Sequence, residues 1–337
     1  MPCTPRKQKS GVKVLATALV FDLVLSASIV GGDYLYNYVL PHGLSAAGTA
    51  AYAASESGQA DWQQKFASHF SRKIVSTDTV YKSPHISIEF THKRYDSGSI
   101  DRSAGGMHTK YGSQISYTLA DIYVANIDCL RTAFAQDTYG VGFSEPLADM
   151  SARMKSVLAT NGDSYSNNRH EASGTIIRNG TVYRSKPSTE ETCVLFRDGT
   201  MATYAPDEFD PQAVIDKGAW QSWIFGPSLL DSQGHAKRDF LTWNYIRESH
   251  PRTAIGYYEP GHYCLLVVDG RQPGTSRGMT LEEMSQLFAN LGCKVAYNLD
   301  GGHCAFMTKG NQVVSDPYRP GKSITDGIFI CEPTARH

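Results

Sequence analysis

The chain has 337 residues, enough for one large domain or two small ones with appendages. Its 41% hydrophobic content supports a sizeable core, while 32 basic and 33 acidic residues leave a formal net charge of -1. That balance excludes a bulk electrostatic partner, nucleic acid included.

The first element is an apolar run from Val14 to Gly31, interrupted by Asp22 and preceded by Arg6, Lys7, Lys9 and Lys13. Its length predicts a bilayer-spanning segment. Cations before it and none directly after it predict an inward N-terminus and an outward remainder. The expected layout is a cytoplasmic basic tail at 1–13, a signal-anchor at 14–31, a stalk at 32–72 and a globular domain at 73–337. Ser26-Ala27-Ser28 offers an alternative cleavage point, and Tyr34, Tyr36 and Tyr38 sit where an interfacial aromatic belt belongs. Cys3 then lies inside. Cys129, Cys193, Cys264, Cys293, Cys304 and Cys331 are free to pair in an oxidising exterior, with a connectivity that sequence does not specify.

Beyond the stalk, short strand-like runs occur at Ile86–Phe90, Ile115–Asn126, Thr175–Ile177, Cys193–Phe196 and Leu265–Val268. Ser144 followed by Pro146 predicts a capped helix with Leu147, Met150, Met154, Val157 and Leu158 on one face, continuing to Asn161-Gly162-Asp163. A second helix is marked more sharply. Thr280 and Glu283 form a capping box, Leu281, Met284, Leu287, Phe288 and Leu291 recur at helical spacing, and Gly292 supplies the stop.

That second helix lies between two apolar strands, Tyr263–Val268 and Lys294–Leu299. Strand, helix, strand predicts a crossover with parallel strands, which places Asp269-Gly270-Arg271 and Asp300-Gly301-Gly302 at one sheet edge. The fold expected is α+β, a mixed sheet with at least one parallel β-α-β crossover and helices packed outside. Asp163 ends another apolar run in Asn161-Gly162-Asp163, while Arg252 and Arg178 supply cations suited to a phosphate diester. Carboxylates and arginines around a glycine-rich edge suit glycosyl transfer from a phosphate leaving group.

The run from Arg252 to Gly302 closely resembles the phosphodiester glycosidase family. The resemblance continues upstream through residues 117–140, 159–168, 174–184 and 225–230, and covers roughly residues 73–332. It implies a hydrolase that cleaves glycosidic bonds to phosphate in sugar-1-phosphodiesters or related cell-surface glycans, as in membrane-anchored, exopolysaccharide-related members. Matched motifs carry over Asn161 and Asp163, Arg178 and Asn179, Arg252, Asp269 and Arg271, Ser276, and Asn298 with Asp300, Gly301 and Gly302. Asp300, Asp163 and Asp269 become catalytic carboxylates, with the acid and base roles open between them. The others become substrate contacts.

Two departures stand out. Where the family continues with glycine and hydroxyls, this chain has His303, Cys304 and Ala305, and Lys322 stands where the family has arginine. His303 is either an acid or phosphate contact in an altered site or a substitution on the rim of a weakened one. The alternatives are therefore a catalytically weakened protein that binds glycan or cell-wall polymer, and a phosphodiesterase that uses calcium or magnesium held by the aspartates. No spacing specifies a metal.

Overall fold

A computed structural model describes residues 10–38, 40–46, 61–98, 111–165 and 173–333, without the side chains of 10–19 and 37–38. In chain order the labelled elements are α1 (Ser10–Tyr38), β1 (Val75–Ser76), β2 (Val80–Lys82), β3 (Ile86–Asp96), β4 (Gln114–Val124), β5 (Leu130–Phe134), α2 (Leu147–Met154) and β6 (Ser156–Asn161). There follow β7 (Ile176–Arg178), β8 (Thr181–Arg184), β9 (Thr192–Phe196), β10 (Met201–Tyr204), α3 (Pro211–Asp216), β11 (Ala219–Trp223) and α4 (Asn244–Arg247). The last are β12 (Arg252–Glu259), β13 (His262–Val268), α5 (Leu281–Asn290), β14 (Val295–Asn298), β15 (Met307–Lys309), β16 (Gln312–Val313) and β17 (Asp326–Cys331).

Strands dominate. A seven-stranded sheet runs in the order β14-β12-β13-β4-β3-β2-β1, a five-stranded sheet in the order β16-β15-β6-β17-β5, and a smaller one in the order β10-β9-β11. Every ladder in them is antiparallel, which corrects the expectation of a mixed sheet. The reason is local: Thr253–Tyr257 is itself a buried apolar strand that turns at Pro260-Gly261 and pairs with β13 as a hairpin. β12 then lies between β13 and β14 and runs against both, so those two point the same way without touching. Their carboxyl ends still share one edge.

Helix α5 forms as its sequence dictates. Thr280 accepts from the Glu283 N–H at 3.1 Å, and the Glu283 carboxylate accepts the Thr280 N–H at 2.9 Å. Arg277, almost wholly buried, holds the same carboxylate and so ties the preceding loop to the helix start. Leu281, Met284 and Phe288 face the core, each contributing about 2 kcal/mol by burial. Thr280→Ala, which removes the cap, costs about 1 kcal/mol. Gly292, at φ +80°, ends the helix.

The other helix departs from expectation. α2 stops at Met154, Lys155 turns left-handed, and Ser156–Asn161 becomes strand β6. Pro146 occupies the cap position without a side-chain cap bond, so Ser144 does not start this helix. Val157 and Leu158 fit a strand because β6 is inserted between β15 and β17.

The globular part also reaches back beyond residue 73. Trp62 and Phe66 are buried in the main core, and His42–Gly43 pairs with Gly140–Val141, so the expected stalk at 32–72 is partly folded structure. Residues 47–60 of it lie outside the described residues, as do Cys3 and residues 1–9 of the basic tail. The expected membrane segment forms a helix, with residues 14–19 lacking described side chains. Among the described residues no helix is long and apolar enough to cross a membrane.

Candidate active site

The shared edge carries a cavity of about 210 Å³ whose lining includes Arg271, Asp300, Gly301, Gly302 and His303, together with Arg252, His250, Tyr245 and Phe225 among others. Its floor is built by backbone constraints. After β14, Leu299 N–H donates to Thr253 O at 2.8 Å, Asp300 N–H to Gly162 O at 3.1 Å, and Gly302 N–H to Pro251 O at 2.8 Å. A Cβ on Gly301 would stand 2.7 Å from Pro251 O, so only glycine lets the loop close onto its neighbour. Gly302, at φ +63°, then turns the chain beneath the Arg271 guanidinium.

Asp300 takes a 2.9 Å hydrogen bond from the Gly301 N–H and one from the Cys304 thiol. Burial nevertheless raises its carboxyl to about 6, with the nearby Asp163 charge adding to the rise. Asp300 thus changes charge in the physiological range. His303 is pushed below the ordinary imidazole value, first by partial burial and then by Lys322, Arg271 and Arg319. Lys322 is exposed and does not line the cavity, so it acts on the site through charge. Burial and the Asp300 carboxylate raise the Cys304 thiol, which excludes it as a ready nucleophile.

Arg271 is the cavity's oriented cation. Its backbone is left-handed at φ 59°. The guanidinium donates to the Tyr318 hydroxyl at 2.8 Å, the Tyr245 hydroxyl at 3.1 Å and His250 Nδ1 at 3.2 Å. The Tyr245 carbonyl, 2.7 Å from His250 Nε2, can only accept. Nε2 therefore carries the proton, and Nδ1 is left free to accept from Arg271. His250 is a positioning residue for Arg271.

Several expected site residues do other work. Asp269 accepts from the Ser116 hydroxyl and from the Asp316 N–H, both at 2.8 Å, and so anchors the loop that carries Tyr318. It does not line the cavity. Ser276 is fully buried and donates to the Asp269 carbonyl at 2.6 Å. Asn161 donates to Asp300 O at 2.6 Å and accepts from Thr253 Oγ1 at 2.6 Å, fixing the aspartate loop from behind. Asn298 holds the cis Gly226–Pro227 turn through Gly226 O at 2.7 Å. Asn179 closes the β7–β8 hairpin against Thr132. Each of them spends a side-chain polar group on the fold and so supports the site from behind, although Asn298 Oδ1 stays buried without a hydrogen-bond partner.

Arg178 and Asp163 also turn inward. The Arg178 guanidinium pairs with Asp326 at 2.5 Å and lies 3.9 Å from Asp163, with all three side chains buried. Asp163 further accepts the Ile224 N–H at 2.7 Å. Burial raises both carboxyls, while Arg178 opposes the rise. Arg252 likewise donates to the carbonyls of Met279, Ile246 and Glu248, so it secures α4 at the cavity wall. His250, Tyr245 and Tyr318 escaped the sequence reading as site residues, and Asp326 entered it only as the aspartate of the family's Ile-x-Asp segment after Lys322. Of the first three only His250, in His-Pro-Arg-Thr ahead of a buried strand, gave a local signal.

The comparisons fit this arrangement. A family model described as phosphodiester glycosidase matches residues 154–331, more than half of the chain and a span that contains the whole cavity lining. The chain belongs to the phosphodiester glycosidase family. It is 34% identical over 194 residues to the SPbeta prophage-derived uncharacterized protein YomE of Bacillus subtilis (strain 168), covering 56% of this chain. It spans only 29% of that relative's length. The catalytic domain of zebrafish N-acetylglucosamine-1-phosphodiester alpha-N-acetylglucosaminidase, auto-inhibited by its pro-peptide, superposes with a TM-score of 0.56 at 19% identity. That match covers 88% of this chain and 97% of the other. A hypothetical protein from Synechocystis gives 0.51 at 14%, over 73% and 62% of the two chains. At these identities the structural matches establish the fold alone. Among the described residues no group of three or more His, Cys, Asp or Glu side chains converges as metal ligands do.

Proposed function

We propose that the protein hydrolyses the bond between an anomeric carbon and phosphate in a sugar-1-phosphodiester, or in a phosphodiester-linked surface glycan. The observation that carries this reading is the pairing of one oriented cation, Arg271, with one carboxyl of raised pKa, Asp300, in a single cavity. A phosphate leaving group carries its own negative charge and needs little protonation. The demand on the enzyme is therefore a cation to offset that charge and a carboxylate to support the oxocarbenium-like centre or activate water. Arg271 takes the first role and ionised Asp300 the second. Neutral His303 adds a donor at the rim.

The same reading places the domain outward, tethered by α1. It draws on the cations ahead of residues 14–31 and on the apolar residues Val20, Phe21 and Leu23, which are 60%, 67% and 69% exposed. Retention of the full chain by vesicles after a high-salt wash checks the tether, and full recovery in the supernatant rejects it.

The test of activity uses the full chain and Asp300→Asn with a panel of sugar-1-phosphodiesters, with and without chelator, and reads products by mass spectrometry. Free sugar from the parent and none from the variant is the expected result. Absence of product from a folded parent transfers the site to the binding of glycan or cell-wall polymer. Loss of activity in chelator brings in a metal.

A further inference from the structure

Cys264 and Cys293 occupy an arrangement that the reaction does not use. Cys264 lies on β13, and Cys293 follows the α5 stop. Strand β12 runs between their two segments, yet the sulfurs stand 3.8 Å apart. They meet because the intervening residue is Gly256, which pairs directly with Cys264. A Cβ there would come within 2.6 Å of the Cys264 sulfur and 3.0 Å of the Cys293 sulfur. The glycine leaves a channel above the middle strand, and both thiols fill it. Tyr258 makes hydrogen-bond contact with both sulfurs. Among the described residues Cys129, Cys193, Cys304 and Cys331 are also free and buried.

We propose that Cys264 and Cys293 are a disulfide-forming pair, closed when the chain folds in an oxidising compartment. The oxidant required is a low-molecular-weight disulfide. One cysteine thiolate attacks it, forming a mixed disulfide and releasing one small thiol. The second cysteine thiolate then displaces the other small thiol, and the protein S–S bond forms. Two protein thiols are oxidised, one small disulfide is reduced to two thiols, and the displaced thiolates take up the two protons. Both cysteines are sealed in the finished fold, 0% and 3% exposed, so exchange belongs to folding, before β13 and the α5 segment close over them. The segment enclosed between the two sulfurs contains Asp269, Arg271 and the whole of α5. The bond therefore staples the element that carries the cavity's cation to the central sheet.

The test refolds the full chain from denaturant in mixed oxidised and reduced glutathione, alkylates free thiols and maps peptides by mass spectrometry. The expected product is one linked peptide joining Cys264 and Cys293, with Cys129, Cys193, Cys304 and Cys331 alkylated. For cysteines 29 positions apart, closure raises the melting temperature by about 5 °C over the same protein refolded in reductant. Cys293→Ser is expected to lose both the linked peptide and the temperature difference. Complete alkylation of both cysteines in the oxidatively refolded parent, or linkage of either to a different cysteine, overturns the proposal. Neither readout uses substrate or turnover, so the outcome is independent of the proposed activity.

Discussion

Arg271 bears the heaviest load in the proposed chemistry, and replacing it gives a graded result. Arg271→Met removes the charge and the fork, whereas Arg271→Lys keeps the charge alone. The parent guanidinium is aimed before substrate arrives, by two tyrosine hydroxyls and His250 Nδ1. Loss of one such preorganised donor costs about 3–4 kcal/mol of transition-state stabilisation, a drop in kcat/KM of about 10²–10³ for the methionine variant. Lysine retains part of this and is expected to fall about tenfold to hundredfold, the worth of a charge-assisted hydrogen bond. Arg271 is only half-buried, so both variants should stay within about 1 kcal/mol of the parent's stability. The assay measures initial rates of sugar release alongside a thermal melt, and repeats Arg271→Met with added guanidinium ion to seek partial rescue. A folded Arg271→Met with kcat/KM within threefold of the parent would refute the assignment of phosphate to this cation.

Further outcomes follow from the same geometry. Since Asp300 acts ionised in the proposed reaction and its carboxyl is raised to about 6, kcat/KM should climb as pH rises through that value; a flat profile from pH 5 to 7.5 removes Asp300 from the chemistry. His303→Gly, which restores the glycine of the family pattern, should lower kcat/KM about tenfold without changing the melt, because one rim donor is lost. An unchanged or higher rate would instead make the imidazole an obstruction. Asp269 is also raised to about 6 by burial, above its unfolded value near 3.9, so it binds more protons folded than unfolded between those limits. Its contribution to stability is full at the acid end and is lost as pH rises through about 6, by at most about 3 kcal/mol. Thermal melts from pH 4 to 7 check this, with a stability rising steadily over that range as the contrary result. Gly301→Ala should cost about 2 kcal/mol or more and disorder the cavity floor, because its methyl meets the Pro251 carbonyl; an unperturbed melt would show that the loop is free to move.

What was legible in the sequence follows the range of each signal. The capping box of α5 is complete within four residues, and the helix forms where it predicts. The shared edge of Asp269 and Asp300 was also readable, because strand–helix–strand fixes direction whether or not another strand intervenes. That β12 would intervene was not readable, since an apolar run states burial and not its neighbour in the sheet. The failure of the first helix has the same root: Val157 and Leu158 satisfy helical spacing and strand burial equally, and Lys155 in the left-handed region decides between them.

Motif matching led to the candidate cavity but did not sort its lining from its supports. Asn161, Arg178, Asp163, Asp269, Ser276 and Asn298 all sit in family motifs, yet each commits a polar group to the fold, to Asp300 O, Asp326, Ile224 N, Ser116, Asp269 O and Gly226 O respectively. A motif records that a residue type is required at a position. It does not record whether the requirement comes from substrate or from a neighbouring loop. Arg178 makes the point physically: its charge cannot reach a ligand while two buried carboxylates surround it, and withdrawing it would leave both unpaired. The residues free to act are those whose partners are weak or few, Arg271 among tyrosine hydroxyls, Asp300 at the loop and His303 at the rim. The proposed chemistry therefore rests on a small, partly exposed set held rigid by a larger buried one, and variants of the two sets should separate in the melt before they separate in rate.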